Sequence, residues 1–262
     1  MRYIPKVIHM IWFGGKPFNI AIQKCVDSWK KWCPDYEIKI WNEETFDINT
    51  NAFVKEAYEA KKWAFVSDYV RLYALYNEGG VYLDSDVEVV KNFDCLLEDE
   101  HVVTGYSSKQ WIPAGFMASE KGNCWIRALL DYYTDRHFVL EDGKMDMKVN
   151  NEIISTISKE KFGFRSGDLS IEYGNVRLYP RVYFHPYKKQ VIEFTEDTLN
   201  NIKRYFNIDE DKTYCIHYSM GSWVTDFNTT SYKIKHFIRK HLPQSAIEFL
   251  EGIYYRCHNW KE

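Results

Sequence analysis

Two aspartates that close a short apolar segment constrain this chain more than any other feature. Residues 79–86 read Gly-Gly-Val-Tyr-Leu-Asp-Ser-Asp, so an apolar strand ends in Asp84 and Asp86. Two positions apart on an extended backbone, their side chains point to the same side. Because like charges at that distance repel, folding them into an interior is costly unless a cation lies between them. The motif therefore predicts a site for Mn²⁺ or Mg²⁺ beside a diphosphate. Glu88 fits a surface carboxylate better than a further ligand.

A second charged pair precedes this strand. Asp68 and Arg71 are three positions apart, so they share one face of a helix predicted over residues 64–77. The apolar residues around them favour a buried functional pair over a salt bridge on a solvated face. Gly79 and Gly80 follow and are expected to end the helix.

Strand and helix patterns alternate through the first half of the chain, which predicts an α/β fold. The second half is less regular. Ligands of open α/β sheets gather at the carboxyl ends of strands, which is where the aspartates lie. Strands are predicted at 7–13, 36–40, 81–83, 101–105, 111–118, 177–179 and 213–217, and helices at 18–29, 52–63, 64–77, 122–133, 149–159 and, split by Pro243, 232–255.

The composition of the 262 residues fits one large globular domain, because 45% of them are hydrophobic. A net charge of −3 argues against a dedicated nucleic-acid binder. The six cysteines form no Cys-x-x-Cys pair, so a zinc ribbon is not expected. Scattered thiols, no recognisable signal peptide and no long apolar run favour a cytoplasmic location.

Two further segments carry candidate ligand contacts. Trp12 lies at the end of the first strand and is suited to stacking on a nucleobase, with core packing as the alternative. His9, within that strand, reads as a hydrogen-bonded core histidine. Near the C-terminus His217 could bind metal or phosphate, Ser222 a phosphate, and Trp223 could cover the diphosphate. The alternative there is a structural loop with one buried tryptophan.

Four blocks in this order resemble the DXD-containing glycosyltransferases of family 32. They cover residues 4–14, 64–71, 79–86 and 217–223, with a weaker match around 179–186. That family includes initiating mannosyltransferases and capsular polysaccharide glycosyltransferases, and more distantly the glucosylating clostridial toxins. The resemblance implies a GT-A fold, a Rossmann-like mixed sheet flanked by helices. It leads us to expect a glycosyltransferase domain over 1–228 and a C-terminal helical extension over 229–262.

The same resemblance implies roles for individual residues. Trp12 would stack on the base, and Asp68 with Arg71 would hold the sugar hydroxyls and the phosphate side. Asp84 would contact ribose or sugar and the metal, and Asp86 would coordinate the Mn²⁺ or Mg²⁺ directly. Ser222 and Trp223 would hold the leaving diphosphate.

The implied reaction is metal-dependent transfer of a hexose or N-acetylhexosamine from a nucleotide sugar, UDP-linked by expectation, with retention. Its acceptor would be a glycan, such as a lipid-linked oligosaccharide in capsule or exopolysaccharide synthesis. The sequence offers no clear carboxylate for a double displacement, which favours front-face attack. It departs from the family pattern at 112–115 and 149–152, regions that face donor sugar or acceptor.

The tail at 232–256 is basic and interleaved with aromatic and aliphatic residues. Such a segment can lie on an anionic leaflet, which would place the enzyme at the inner face of the plasma membrane. A helical cap packed on the domain is the alternative.

Two other functions remain open at this point. A haloacid-dehalogenase-like phosphatase also carries Asp-x-Asp after an apolar strand, but that motif normally opens the domain. A non-catalytic sugar-binding protein is the second alternative. Release of UDP or GDP from a nucleotide sugar with Mn²⁺ is expected only of a transferase.

Overall fold

The structure is a computed structural model that describes residues 3–106, 111–189 and 192–220. The described residues form two compact units. The larger comprises 3–106, 111–186 and 208–220, and the smaller comprises 187–189 and 192–207. Ser222, Trp223 and the predicted extension at 229–262 lie outside the described residues, so the proposals made for them stay predictions.

Strands and helices alternate through the first part of the larger unit, as the hydrophobic pattern predicts, and successive strands follow one another in the later part. Its strands are β1 (Val7–Ile11), β2 (Glu37–Trp41), β3 (Gly80–Leu83), β4 (Val87–Val89), β5 (Val102–Gly105), β6 (Phe116–Ser119), β7 (Ser170–Ile171), β8 (Val176–Tyr179) and β9 (Cys215–His217). Its helices are α1 (Ile20–Trp32), α2 (Ala52–Glu59), α3 (Trp63–Glu78), α4 (Asp94–Leu97), α5 (Cys124–Asp131) and α6 (Asn150–Phe162).

A seven-stranded mixed sheet organises this unit, in the order β2-β1-β3-β6-β5-β8-β7. Strand β1 is parallel to β2 and β3, whereas β6 runs antiparallel to both β3 and β5. Strands β4 and β9 form a separate antiparallel pair in which Val87 faces His217. The carboxyl end of β3 therefore meets the start of β6 at one edge of the main sheet.

Apolar side chains cover both faces of the sheet. On β3, Val81 and Leu83 belong to one buried cluster, together with Trp29 of α1, while Tyr82 belongs to the other, together with Leu75 of α3. This alternation follows from the two-residue period of a strand, and burial on both faces explains why β3 is a continuous apolar run. The expected mixed sheet flanked by helices is confirmed.

Two glycines make the sharp passage from α3 into β3 possible. Gly79 and Gly80 have φ of 72° and 107°, a region that side chains with a Cβ rarely adopt. A Cβ on Gly79 would lie 2.8 Å from the backbone nitrogen of Lys121, and one on Gly80 would lie 2.7 Å from the carbonyl oxygen of Val7. The glycine pair thus allows β3 to lie directly beside β1 and places Asp84 at the carboxyl end of β3.

Two helix boundaries have local causes. Asn19 caps α1, since its side-chain oxygen accepts from the backbone N–H groups of Ala21 and Ile22 at 3.0 Å each. The single helix predicted over 52–63 is interrupted, because Lys61 adopts φ of 56° and the N–H of Lys62 donates to the carbonyl of Ala57. Such a left-handed residue closes α2 before α3 begins.

The strand predicted over 111–118 is shorter than expected. Only Phe116–Ser119 pairs with its neighbours as β6. Proline lacks the N–H that a ladder needs, and Pro113 lies inside the missing part. Gly115 instead accepts a hydrogen bond from the N–H of Asp84 at 2.9 Å, which fixes this loop against the carboxylate motif.

The smaller unit holds a short helix, α7 (Glu196–Asn200), followed by a 3₁₀ turn at Ile202–Tyr205. Thr195 and Thr198 form a reciprocal capping box at the start of α7. Leu199, Ile202 and Phe206 are buried. Among the described residues, no helix is both long and apolar enough to cross a bilayer.

Candidate active site

Asp84 and Asp86 lie on a tight turn rather than along an extended strand. The N–H of Val87 donates to the carbonyl of Asp84 at 2.9 Å, so the chain reverses between β3 and β4. The expectation of two carboxylates on one side of a straight backbone is therefore wrong in its geometry. The turn nevertheless brings their carboxylate oxygens to the same place, because β4 pairs with β9 instead of continuing the main sheet.

One oxygen of each carboxylate is held by the protein, and the other faces His217. Asp84 Oδ1 accepts from the hydroxyl of Tyr82 at 2.5 Å, and Asp86 Oδ2 accepts from the backbone N–H of Met220 at 2.8 Å. The remaining oxygens lie near His217 Nε2, with Asp86 Oδ1 at 3.1 Å and Asp84 Oδ2 at 3.6 Å. Three ligand atoms within 4.8 Å of one another form a candidate metal centre.

The electrostatics of Asp86 keep its carboxyl group ionised. Burial favours the protonated form, but the imidazole of His217 and the N–H of Met220 stabilise the charged form more strongly. The pKa of Asp86 is consequently below its ordinary value. An ionised carboxylate is the form that binds a divalent cation.

Asp68 and Arg71 are buried beside this centre. Arg71 Nη2 donates to Asp68 Oδ1 at 3.0 Å and Nη1 to Asp84 Oδ1 at 3.2 Å, while the guanidinium lies over the ring of Tyr82 at 4.5 Å from its centroid. Arg71 also donates to the carbonyls of Ser67 and Ala114. The alternative of a solvated salt bridge is excluded, since the two side chains are only 12% and 7% exposed.

Burial also sets the protonation of Asp68. Removal from water raises its pKa to about 6, although the charge of Arg71 and a hydrogen bond from Asn150 oppose that effect. Asn150 Nδ2 donates to Asp68 Oδ1 at 2.8 Å. Asp68 is therefore mostly an ionised carboxylate at neutral pH, and both Arg71 and Asn150 donate hydrogen bonds to it.

Asn150 was not singled out in the sequence, although the 149–152 segment was noted as a departure from the family pattern. It begins α6, and its Oδ1 is buried without a hydrogen-bond partner among the described residues. A buried acceptor that lacks a donor is costly, so a group that hydrogen-bonds there would relieve that cost. Asn150 is thus a candidate contact for a bound hydroxyl.

Glu88 corrects another expectation. Glu88 is only 9% exposed, so it is not a surface carboxylate. Lys24 Nζ donates to Glu88 Oε1, and the hydroxyl of Tyr218 donates to Oε2, both at 2.7 Å. This network links α1, β4 and the residue that follows His217.

His185 is a further residue that the sequence did not indicate as functional. Its Nδ1 lies 3.3 Å from Nδ1 of His217, and its own side chain is buried. Burial, His217 and Arg181 lower the pKa of His185 well below its ordinary value, so the ring is neutral at neutral pH.

His9 and Trp12, from the first strand and its end, have well-defined contacts. His9 is a buried core residue as expected, with Nε2 2.7 Å from the carbonyl oxygen of Gly79 and Nδ1 accepting from Trp41. Trp12 is half-buried, donates from Nε1 to the carbonyl of Lys16 at 2.7 Å, and packs edge-on against Phe18. Its stacking on a base stays a prediction.

Comparison with known proteins finds a family model that matches part of the chain. Residues 21–103 match the model of the glycosyltransferase sugar-binding region containing a DXD motif. Inositol phosphoceramide mannosyltransferase 3 of Schizosaccharomyces pombe is 32% identical over 101 residues, which is 36% of this chain and 27% of that protein. The chain thus matches about a quarter of the length of this curated relative.

Solved glycosyltransferases have distant structural similarity to the chain. PaToxG glycosyltransferase aligns with 61% of this chain and 70% of its own, at 22% identity and a TM-score of 0.46. Galactosyltransferase LgtC, in complex with donor and acceptor sugar analogues, aligns with 91% of this chain and 98% of its own, at 15% identity and a TM-score of 0.43.

Proposed function

We propose that this chain, of which residues 21–103 match the glycosyltransferase sugar-binding region containing a DXD motif, moves a hexose or N-acetylhexosamine from a UDP-linked donor to a glycan, with retention. The observation that carries this proposal is the convergence of Asp84, Asp86 and His217 beside the buried Asp68–Arg71 pair. A cation centre next to a buried carboxylate provides one place for a diphosphate and another for sugar hydroxyls.

The three converging side chains fit a divalent metal. Asp84 Oδ2, Asp86 Oδ1 and His217 Nε2 would hold it, and two carboxylates with one imidazole favour Mn²⁺, with Mg²⁺ as the alternative. When bound, such an ion neutralises diphosphate charge as the glycosidic bond breaks.

Arg71 acts mainly by positioning and by its charge. Each of its three nitrogens already donates within the protein, to Ser67, Ala114, Asp68 and Asp84. It therefore orients both carboxylates, and its buried positive charge favours the charge that develops on the leaving diphosphate.

Asp68 and Asn150 would bind the sugar. Asp68 Oδ1 already receives hydrogen bonds from Arg71 and Asn150, so its second oxygen and the unpartnered Oδ1 of Asn150 suit hydroxyl donors. Two fixed acceptors would orient the ring so that the acceptor hydroxyl attacks from the leaving-group face and its proton passes to the departing phosphate.

We further propose a lipid-linked glycan, in capsule or exopolysaccharide synthesis, as the acceptor. The name of the Schizosaccharomyces pombe relative refers to a lipid, which supports this choice. Under this proposal the enzyme acts in the cytoplasm, at the inner face of the plasma membrane, with residues 232–256 as its contact to the bilayer.

A donor-hydrolysis assay tests the proposed reaction. We expect UDP release from a UDP-sugar to require Mn²⁺ and to fall at least about 100-fold in Asp86→Asn, because that change removes a charged ligand. Asp142→Asn, an exposed aspartate in a surface turn, is the matched control and should keep wild-type activity.

Three results would contradict the proposal. An Asp86→Asn enzyme that releases UDP at the wild-type rate would eliminate the metal role. Phosphate release from a phosphomonoester, without UDP release from any UDP- or GDP-sugar tested, would favour the phosphatase alternative. Binding of sugars without turnover would favour a sugar-binding protein.

A further inference from the structure

His185 is held rigidly at the back of the candidate metal centre. It follows the 3₁₀ turn Arg181–Tyr183, where its N–H donates to the carbonyl of Arg181 and Arg181 Nε donates back to the carbonyl of His185, both at 2.8 Å. The residue is only 5% exposed. The backbone contacts fix where the side chain begins, and burial leaves its ring little room to turn.

The ring of His185 meets the ring of His217 through their Nδ1 atoms. These atoms are 3.3 Å apart, and the ring planes are inclined by 64°. Gly115 leaves no spare room there, since a Cβ on it would lie 3.0 Å from both His185 Cε1 and His217 Nδ1. Two lone pairs facing each other at this distance would repel, so one of the Nδ1 atoms carries the proton.

The two possible proton positions have opposite consequences for metal binding. If His217 Nδ1 carries the proton, its Nε2 lone pair faces Asp84 and Asp86 and can bind a cation. His185 then accepts at Nδ1 and carries its own proton on Nε2. That Nε2 atom is buried without a hydrogen-bond partner among the described residues, a cost that the fold tolerates.

We propose that, with a cation bound, His185 is a positioning residue that holds His217 in its Nδ1–H tautomer and leaves its Nε2 lone pair aimed between the two aspartates. It touches neither sugar nor phosphate in this role and acts through His217. The inference rests on the proposed metal centre and deepens it, because metal-binding histidines commonly need such an outer partner to fix their tautomer.

Two variants of His185 test whether the ring acts by accepting a hydrogen bond from His217 or only by filling the space beside it. His185→Leu removes the acceptor, whereas His185→Asn keeps an oxygen near the position of Nδ1. We expect His185→Leu to weaken Mn²⁺ binding about 10- to 100-fold, and His185→Asn to stay within about threefold of wild type. The measurement is a titration of free Mn²⁺ by electron paramagnetic resonance, which needs no turnover.

A third variant distinguishes failure of this inference from failure of the metal centre. If His217→Ala abolishes Mn²⁺ binding while His185→Leu binds as tightly as wild type, the role of His185 is refuted and the centre stands. If His217→Ala binds Mn²⁺ like wild type, both the centre and the inference fail. Equal losses in His185→Leu and His185→Asn would also refute the inference.

Nitrogen-15 spectra of wild type supply a readout that does not depend on whether a variant folds. In histidine-labelled protein saturated with diamagnetic Mg²⁺, we expect the proton on Nδ1 of His217 and on Nε2 of His185. The reverse assignment for either ring would overturn the proposal. Thermal unfolding of each metal-free variant shows whether it is folded before the Mn²⁺ titration is interpreted.

Discussion

At the scale of single residues, Arg71 joins the parts of the site. One guanidinium hydrogen-bonds Asp68 on its own helix and Asp84 after the neighbouring strand, and it lies over Tyr82. Because Asp68, Arg71 and Tyr82 are buried and the side chain of Asp84 is only 25% exposed, removal of any one would leave a charge or polar group without its partner. The site is therefore a connected unit, and single substitutions in it are expected to be non-additive.

Asp68 gives this unit a measurable pH dependence. Burial raises its pKa to about 6, so the folded protein binds a proton that the unfolded chain releases near pH 4. This contribution to stability is fully present below about pH 4 and is lost as the pH rises through about 6. We expect the free energy of unfolding of metal-free wild type, relative to Asp68→Asn, to fall by about 3 kcal/mol between pH 3 and pH 7.

Urea titrations of wild type and Asp68→Asn between pH 3 and pH 7 check the prediction. The quantity compared is the free energy of unfolding of wild type minus that of the variant, in which the titration of groups common to both proteins cancels. A difference that stays constant with pH would show that Asp68 titrates at its ordinary value in the folded state. A difference that grows with pH would show that Arg71 outweighs burial.

Local spacing made two pairs recognisable in the sequence. Asp84 and Asp86 are two positions apart on one turn, and Asp68 and Arg71 are three positions apart on one helix, whereas His217 was proposed from its place after a predicted strand. His185 and Asn150 reach the site from 32 and 82 positions away, through contacts that no periodic pattern encodes. Glu88 was misjudged because β4 is only three residues long and buried throughout, too short for an alternation to show.

At the scale of elements, a buried polar network ties three segments together behind the metal centre. Glu88 of β4 accepts from Lys24 of α1 and from Tyr218, which follows β9. The N–H of Tyr218 also donates to the carbonyl of Asp86. The network thus sets the distance between the turn that carries Asp86 and the strand that carries His217.

A double-mutant cycle measures this link. We expect Glu88→Gln and Tyr218→Phe to be coupled by about 1 to 3 kcal/mol in the free energy of unfolding, because a buried carboxylate loses a hydrogen-bond donor. The exposed Asp142–Lys144 pair, with side chains 51% and 79% exposed, is the control and should show no measurable coupling. Coupling as small at Glu88–Tyr218 as in that control would contradict the network.

Element boundaries were predicted less well than the elements themselves. The break after α2 depends on the left-handed conformation of Lys61. Lysine has no preference for that conformation, so the sequence gives no sign of the break. The shortening of β6 had a visible signal in Pro113, but the pairing of Gly115 with Asp84 depends on tertiary structure. The α/β class followed from hydrophobic runs and glycine positions, which are local properties, whereas the mixed sheet was implied by the family resemblance.

At the scale of the whole molecule, a bound ion would raise stability by linkage. At 100 times its dissociation constant, Mn²⁺ is expected to add about 2.7 kcal/mol, which corresponds to roughly 5 to 10 °C in Tm for a chain of this size. Calorimetry with Mn²⁺ and then with excess chelator measures the shift. His217→Ala should show no shift, and an equal shift in that variant would locate the ion elsewhere.

Because β4 pairs with β9, a bound ion would also connect two segments that are far apart in the sequence. Val87 faces His217 across the ladder, so one cation would fasten an early stretch of the chain to a late one. If the proposed centre holds Mn²⁺, its removal should therefore loosen β9 before the seven-stranded sheet, and a protease added with chelator should cut first near that strand.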